Sequence, residues 1–149
     1  MKDSFSPQGT ITFQLKKADG TIKETVVENL VVQSGRAWIT ARLSDNAIPS
    51  VMSTIGVGEG DANEPALGDT ALESQIAVGG LQPMTIPGGT VTANVIAYEA
   101  SFPAANATGA IVEAGIFNDA NVMLSRATFP VINKQLDDTL NIIWRVRIQ

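Results

Sequence analysis

The chain has no cysteine and no histidine, and few of its 149 residues are aromatic (5%) or charged (17%). Without histidine there is no Ser-His-Asp triad and no Cys-His pair. Without cysteine there is no thiol chemistry, and zinc, haem and iron–sulfur sites lose their usual ligands. Enzymes that work with carboxylates, lysine or tyrosine alone survive this cut. Without cysteine there is also no disulfide framework, so stability outside a cell would need another source. A net charge of −5 offers no clustered Lys and Arg for a nucleic-acid backbone. No apolar run approaches the ~20 residues of a membrane span. The polar start, Met1-Lys2-Asp3-Ser4-Phe5-Ser6-Pro7, lacks the apolar stretch of a signal peptide. These readings predict a soluble protein made in a cytoplasm, with no nucleic-acid, membrane or small-molecule partner.

What is present favours strand. Hydrophobic residues make up 44% of the chain, too many for disorder, and the length suits one domain. Val, Ile and Thr are abundant. Over Gly9 to Lys16, Ile11, Phe13 and Leu15 alternate with polar residues, the period of a half-buried strand. Ala18-Asp19-Gly20 then turns into a second strand, Thr21 to Val27. The residues before them, Met1 to Gln8, read as an N-terminal arm on a single domain spanning 9–149. Ser34 is placed to cap a helix over Gly35 to Leu43, ended by Asp45-Asn46 and Ile48-Pro49.

Ser53 to Val57 reads as a strand entering a glycine-rich loop, Gly56 to Asp61, and Pro65 to Leu72 as a short helical turn with Asp69 and Thr70 as caps. Pro87-Gly88-Gly89 marks a turn. Thr90 to Phe102 reads as one long strand, with Ala110 to Phe117 and Val122 to Phe129 as a pair across Asn118-Asp119-Ala120-Asn121. In the last strand Leu140, Ile142, Trp144, Val146 and Ile148 form one apolar face. Seven or more such strands with turns between them predict an all-β fold, a β-sandwich or jelly roll with one short helix inserted after the first hairpin.

The chemistry-bearing candidates each have a plain structural account. Gly56-x-Gly58-x-Gly60 follows a strand as a phosphate loop would. It lacks the dinucleotide spacing and the P-loop lysine, and it carries Glu59 and Asp61, which repel phosphate. Glu59, Asp61, Asn63 and Glu64 offer oxygens to a cation, but not at EF-hand spacing, so a solvated acidic loop is the simpler reading. Asp137-Asp138 beside Lys134 reads as a polar turn. Glu99 and Glu113 lie in apolar strands and would be the carboxylate pair of a glycosidase if they met. The structural reading of Glu113 is an ion pair with Arg126 on the neighbouring strand. Gly115 suits a bulge or a close backbone approach. Arg145 and Arg147 share one face of the last strand, where they would meet solvent or an acidic partner. No catalytic, cofactor-binding or metal-ligating residue is assigned, and the chain is read as a non-enzyme.

Several segments resemble a pattern found in structural proteins of tailed-bacteriophage virions. They are Val112-Glu113-Ala114-Gly115-Ile116-Phe117-Asn118, Met123-Leu124-Ser125-Arg126-Ala127-Thr128-Phe129, and Lys134 followed by Asp138-Thr139-Leu140-Asn141-Ile142-Ile143-Trp144. Upstream, Glu28-Asn29-Leu30-Val31-Val32, Trp38 to Leu43, the Gly-Val-Gly segment and Asp69-Thr70-Ala71-Leu72 are similar to the same group. The resemblance implies a component of the particle, with its motifs acting as strand and turn signatures. A chain of this length without fibrous repeats fits a capsid decoration (cement) protein on the outer capsid surface. It would bind the major capsid protein where subunits meet, as a homotrimer of copies of itself. A tail, baseplate or receptor-binding fibre component is the alternative.

Overall fold

The structure is a computed structural model that describes residues 6–45 and 48–149. Among the described residues nine strands lie in one curled antiparallel sheet: β1 Pro7–Lys16, β2 Ile22–Val31, β3 Met52–Glu59, β4 Leu81–Pro83, β5 Thr90–Thr92, β6 Val95–Phe102, β7 Gly109–Asn118, β8 Met123–Lys134 and β9 Thr139–Ile148. The single helix among the described residues, α1 Gln33–Arg42, follows the β1–β2 hairpin, so the fold is all-β with one short helix where the sequence places it. No helix among the described residues is long and apolar enough to cross a membrane.

The spatial order is β4-β3-β7-β8-β2-β1-β9-β6-β5. Its two halves, β5-β6-β9-β1-β2 and β8-β7-β3-β4, face each other across a common core. From the first half come Ile11, Phe13, Tyr98, Phe102, Ile142 and Trp144, and from the second Ile55, Val57, Ile111, Ile116, Leu124 and Phe129. Phe13 and Phe129 meet across the gap with ring centroids 4.5 Å apart. Burial of such rings is the main favourable term in a fold with little charge to use. On the far side the curl nearly closes: Met84 N donates to Ser53 O on β3 while Thr85 N donates to Glu99 O on β6.

β9 alternates as its sequence predicts, with Leu140, Ile142, Trp144 and Val146 buried. β1 begins at Pro7, within the stretch expected to be an arm; Pro7 and Gln8 pair with Ile148 and Arg147, and Met1 to Phe5 lie outside the described residues. The expected long strand 90–102 is instead a hairpin, β5 and β6, joined at Ala93-Asn94. Ala93 takes a left-handed φ of 53°, a conformation the alanine itself does not advertise. The core side of β6 is therefore Tyr98, Ala100 and Phe102, while Glu99 points outward.

Ser34 is not the cap of α1. Val32 occupies that position with no side-chain bond, and the Ser34 hydroxyl instead donates to Met123 O at 2.8 Å. That bond ties the helix to β8, and Gly35 completes the contact, since a Cβ there would run into the Leu124 carbonyl. The helix ends at Arg42; Asn46, expected among its stop signals, lies outside the described residues.

Candidate functional site

The half-sheet β8-β7-β3-β4 is covered on both faces. One side of β7 and β3 feeds the main core, and the other lies under residues 65–75, an irregular segment with a turn near Leu67 and Gly68 in place of the expected helical turn. The glycines of these strands explain the covering. A Cβ at Gly58 would collide with the Glu113 carboxylate and the Ser74 carbonyl, and one at Gly115 would lie 3.1 Å from both Leu72 and Met123. Gly56 and Gly58 are accordingly strand residues, opposite Gly115 and Glu113, and do not form a loop. The phosphate-loop geometry is absent because backbone groups of this stretch are engaged in the ladder; Gly60, with φ 93°, is where the chain turns away.

Beneath this strap lies the densest charge cluster among the described residues. Arg126 is 1% exposed and Glu113 0%. The Arg126 Nε donates to Glu113 Oε1 at 3.1 Å, and Nη2 lies 3.0 Å from the same oxygen. Nη1 donates to Asp69 Oδ2 at 2.9 Å, and Glu73 Oε2 stands 3.8 Å from Nη2. The strap supplies further donors: Glu73 N reaches Glu113 Oε1 at 3.0 Å and Ser74 N reaches Oε2 at 2.8 Å. Asp69 also accepts from Ala66 N, and Glu73 accepts from both nitrogens of Asn63, which hold its carboxyl below the usual carboxylate range. The Glu113 carboxylate, with two backbone N–H bonds and the arginine Nε, is satisfied, whereas the buried Arg126 Nη2 has ion-pair contacts but no hydrogen bond.

The expected Glu113–Arg126 pair is thus present. It is diagonal, because Arg126 lies opposite Gly115 and Glu113 opposite Thr128. Gly115 serves the close approach foreseen for it, with register shifts nearby on both sides. Glu99 and Glu113 do not meet: Glu99 is exposed on β6, Glu113 buried on β7, and no strand pairing joins them. Glu59 ends β3 with its N–H on Ser74 O, and Asn63 is occupied by Glu73. Among the described residues no group of acidic side chains is arranged to hold a metal ion, and the three that converge, Asp69, Glu73 and Glu113, do so on Arg126. Asp138 accepts from Gln135 N at 2.8 Å and Lys17 Nζ at 3.0 Å in the β8–β9 turn. Burial raises its pKa, but these bonds and the nearby lysines outweigh that and hold it low. Asp69 and Glu73 were not foreseen as partners of Arg126. The usable signal was the glycine at alternate strand positions 56 and 58, a face stripped of side chains so that something can lie on it.

A second region has the opposite character. The outer face of β2, β1, β9 and β6 is uncovered, and its cross-strand rows follow from the register. Val26, Thr12, Ile143 and Glu99 form one row, and Glu28, Thr10, Arg145 and Ala97 the next. Arg145 and Arg147 are exposed there. Trp144 faces the core at 0% exposure, and Trp38 is half-buried against it, its indole N–H donating to Ser50 O.

No family model, no curated protein and no solved structure matches the chain.

Proposed function

We propose that the chain is a structural protein of a tailed-bacteriophage virion, and specifically a capsid decoration protein that bridges neighbouring capsid subunits as a homotrimer. The observation that supports this reading is the contrast between the two faces just described. Segments that resemble virion proteins, in β7, β8 and β9, are spent on the fold itself, with Glu113 and Arg126 neutralising each other. What remains accessible is a broad sheet face whose charges balance, Lys16, Arg145 and Arg147 against Glu24, Glu28 and Glu99. Ile22 and Val26 stand 62% and 58% exposed on its β2 edge, flanked by Glu24 and Glu28, with Arg145 and Arg147 two strands away. Such a face suits extended contact with other proteins. Several moderate contacts made at once by the copies of a trimer raise effective affinity without any one being strong. Attached across capsomer boundaries, the protein would oppose the outward pressure of packaged DNA.

The test is the number of copies per purified particle, measured by quantitative mass spectrometry. Hundreds of copies are expected; about a dozen would overturn the decoration role in favour of a tail or baseplate component.

A further inference from the structure

β2 occupies the middle of the sheet order, yet it joins β8 through only Leu30↔Arg126 and Val31↔Ser125. Beyond that point the strands part. Residues 22–29 of β2 pair with β1 alone, and the C-terminal part of β8 pairs with β7 alone. Each therefore presents a row of backbone N–H and C=O groups to the space between them. That space is a groove of about 350 Å³ with Phe13 and Leu15 on its floor, Lys23 and Thr25 on one wall, and Val131 and Asn133 on the other. Lys23 and Thr25 sit opposite Leu15 and Phe13 in the ladder, on the core side of β2, and yet Lys23 is exposed and Thr25 only half-buried. Val131 is 51% exposed.

At the wide end of the seam Lys17 and Lys23 both line the groove; Lys17 is held by Asp138, so the exposed Lys23 is the cation that faces it.

We infer that this seam receives an extended peptide strand from a partner protein, one that alternates apolar residues with carboxylates. The strand hydrogen-bonds to the free edge of β2, as in β-strand addition. Its apolar side chains pack on the exposed Pro130 and Val131 of the groove, and its carboxylates meet Lys23. The inference does not depend on which particle the protein belongs to.

The probe is a seven-residue capped peptide alternating valine with glutamate and threonine, titrated into the full chain while amide hydrogen exchange is followed. Exchange at the alternate amides between Lys23 and Val27 that face away from β1 is expected to slow by about tenfold or more at saturation, because these amides acquire acceptors. Methylating the central peptide nitrogens, which removes their donors without touching the protein, is expected to abolish the effect. Exchanging the peptide's glutamates for lysines, or making Lys23→Glu in the protein, is expected to weaken binding by about tenfold. Absence of protection at β2, or equal binding by the methylated peptide, would overturn strand addition. Equal binding by the lysine peptide would overturn the acidic partner. Protection that rises with protein concentration in the absence of peptide would assign the seam to a second copy of the chain and overturn the proposal.

Discussion

The two flanks of β8 differ more than any other pair of neighbouring regions in this molecule. Toward β7 the strand is zipped from Met123 to Lys134, with Arg126 and Glu113 buried under the 65–75 strap. Toward β2 it is joined by two residue pairs and then opens into a groove. The same strand thus contributes a closed, charge-fastened layer on one side and unpaired backbone on the other. Buried polar groups fully satisfied make a region rigid and specific, whereas unpaired strand edges are reactive toward any chain that can extend alongside them. Stability and association are therefore separable in this fold, and substitutions on the two flanks should separate them.

The largest effect is expected from Arg126→Met. It leaves Glu113 buried at 0% exposure without its cation, and such broken pairs cost about 3–5 kcal/mol. Denaturant unfolding would register this as a fall in midpoint, and the double variant Arg126→Met with Glu113→Gln, which removes the stranded charge and keeps an acceptor for the strap, should recover part of the loss. A recovery of nothing would mean that the stranded charge is not the source of the loss. Gly35→Ala comes next. Its new Cβ meets the Leu124 carbonyl, which is backbone and cannot swing aside, so α1 must lift from β8 at a cost of about 1–3 kcal/mol. The change should appear as a lower thermal midpoint, with Trp38 fluorescence moving because that indole, carried by α1, packs against the core.

Smaller still is the effect of Asp138→Asn. Asp138 is held below its ordinary pKa, so its contribution is fully present above the unfolded carboxylate value near 4 and is lost as pH falls through the folded value. The wild-type chain should therefore lose stability on acidification below about pH 4 more steeply than the variant. At neutral pH the difference should be about 1 kcal/mol, because Lys17 is partly exposed. The mildest test needs no mutation: in the free protein, the alternate amides between Lys23 and Val27 that face away from β1 should exchange faster than those of Ile116 or Ala127, which lie within the β7–β8 ladder. Equal rates would mean that the seam is not open in solution.

The sequence made one side of this contrast far more legible than the other. The β7–β8 hairpin, its turn and its ion pair could be read because strand period, turn residues and opposite charges all act within about twenty residues. The final strand was readable for the same reason, through five alternating apolar positions. The strap was not, because what holds Asp69 and Glu73 in place is an arginine on β8 and an irregular backbone, neither of which leaves a period in the local chain. Gly56 and Gly58 read as a loop for that reason: their lack of side chains answers to Leu72 and Ser74 lying over them, more than ten residues on. The hairpin at Ala93-Asn94 was hidden by an alanine in a conformation usually left to glycine or asparagine. The seam left one local sign in β2, Lys23 and Thr25 on the side that a fully covered strand would fill with apolar residues, and it becomes readable only once the register with β1 is known.

The pairing of β1 with β9 bears on how the fold is reached. Pro7 faces Ile148, and Ser6 and Gln149 exchange both backbone bonds, so strands from opposite ends of the chain are hydrogen-bonded neighbours. On a ribosome the β1–β2 hairpin emerges first and must wait, with Ile11, Phe13 and Leu15 uncovered, until β9 has been made. Ladders that join such distant segments close slowly. While it waits, the open β2 edge and the empty place beside β1 are both available to other chains, which makes the interval before the last strand arrives the period of greatest exposure to mispairing.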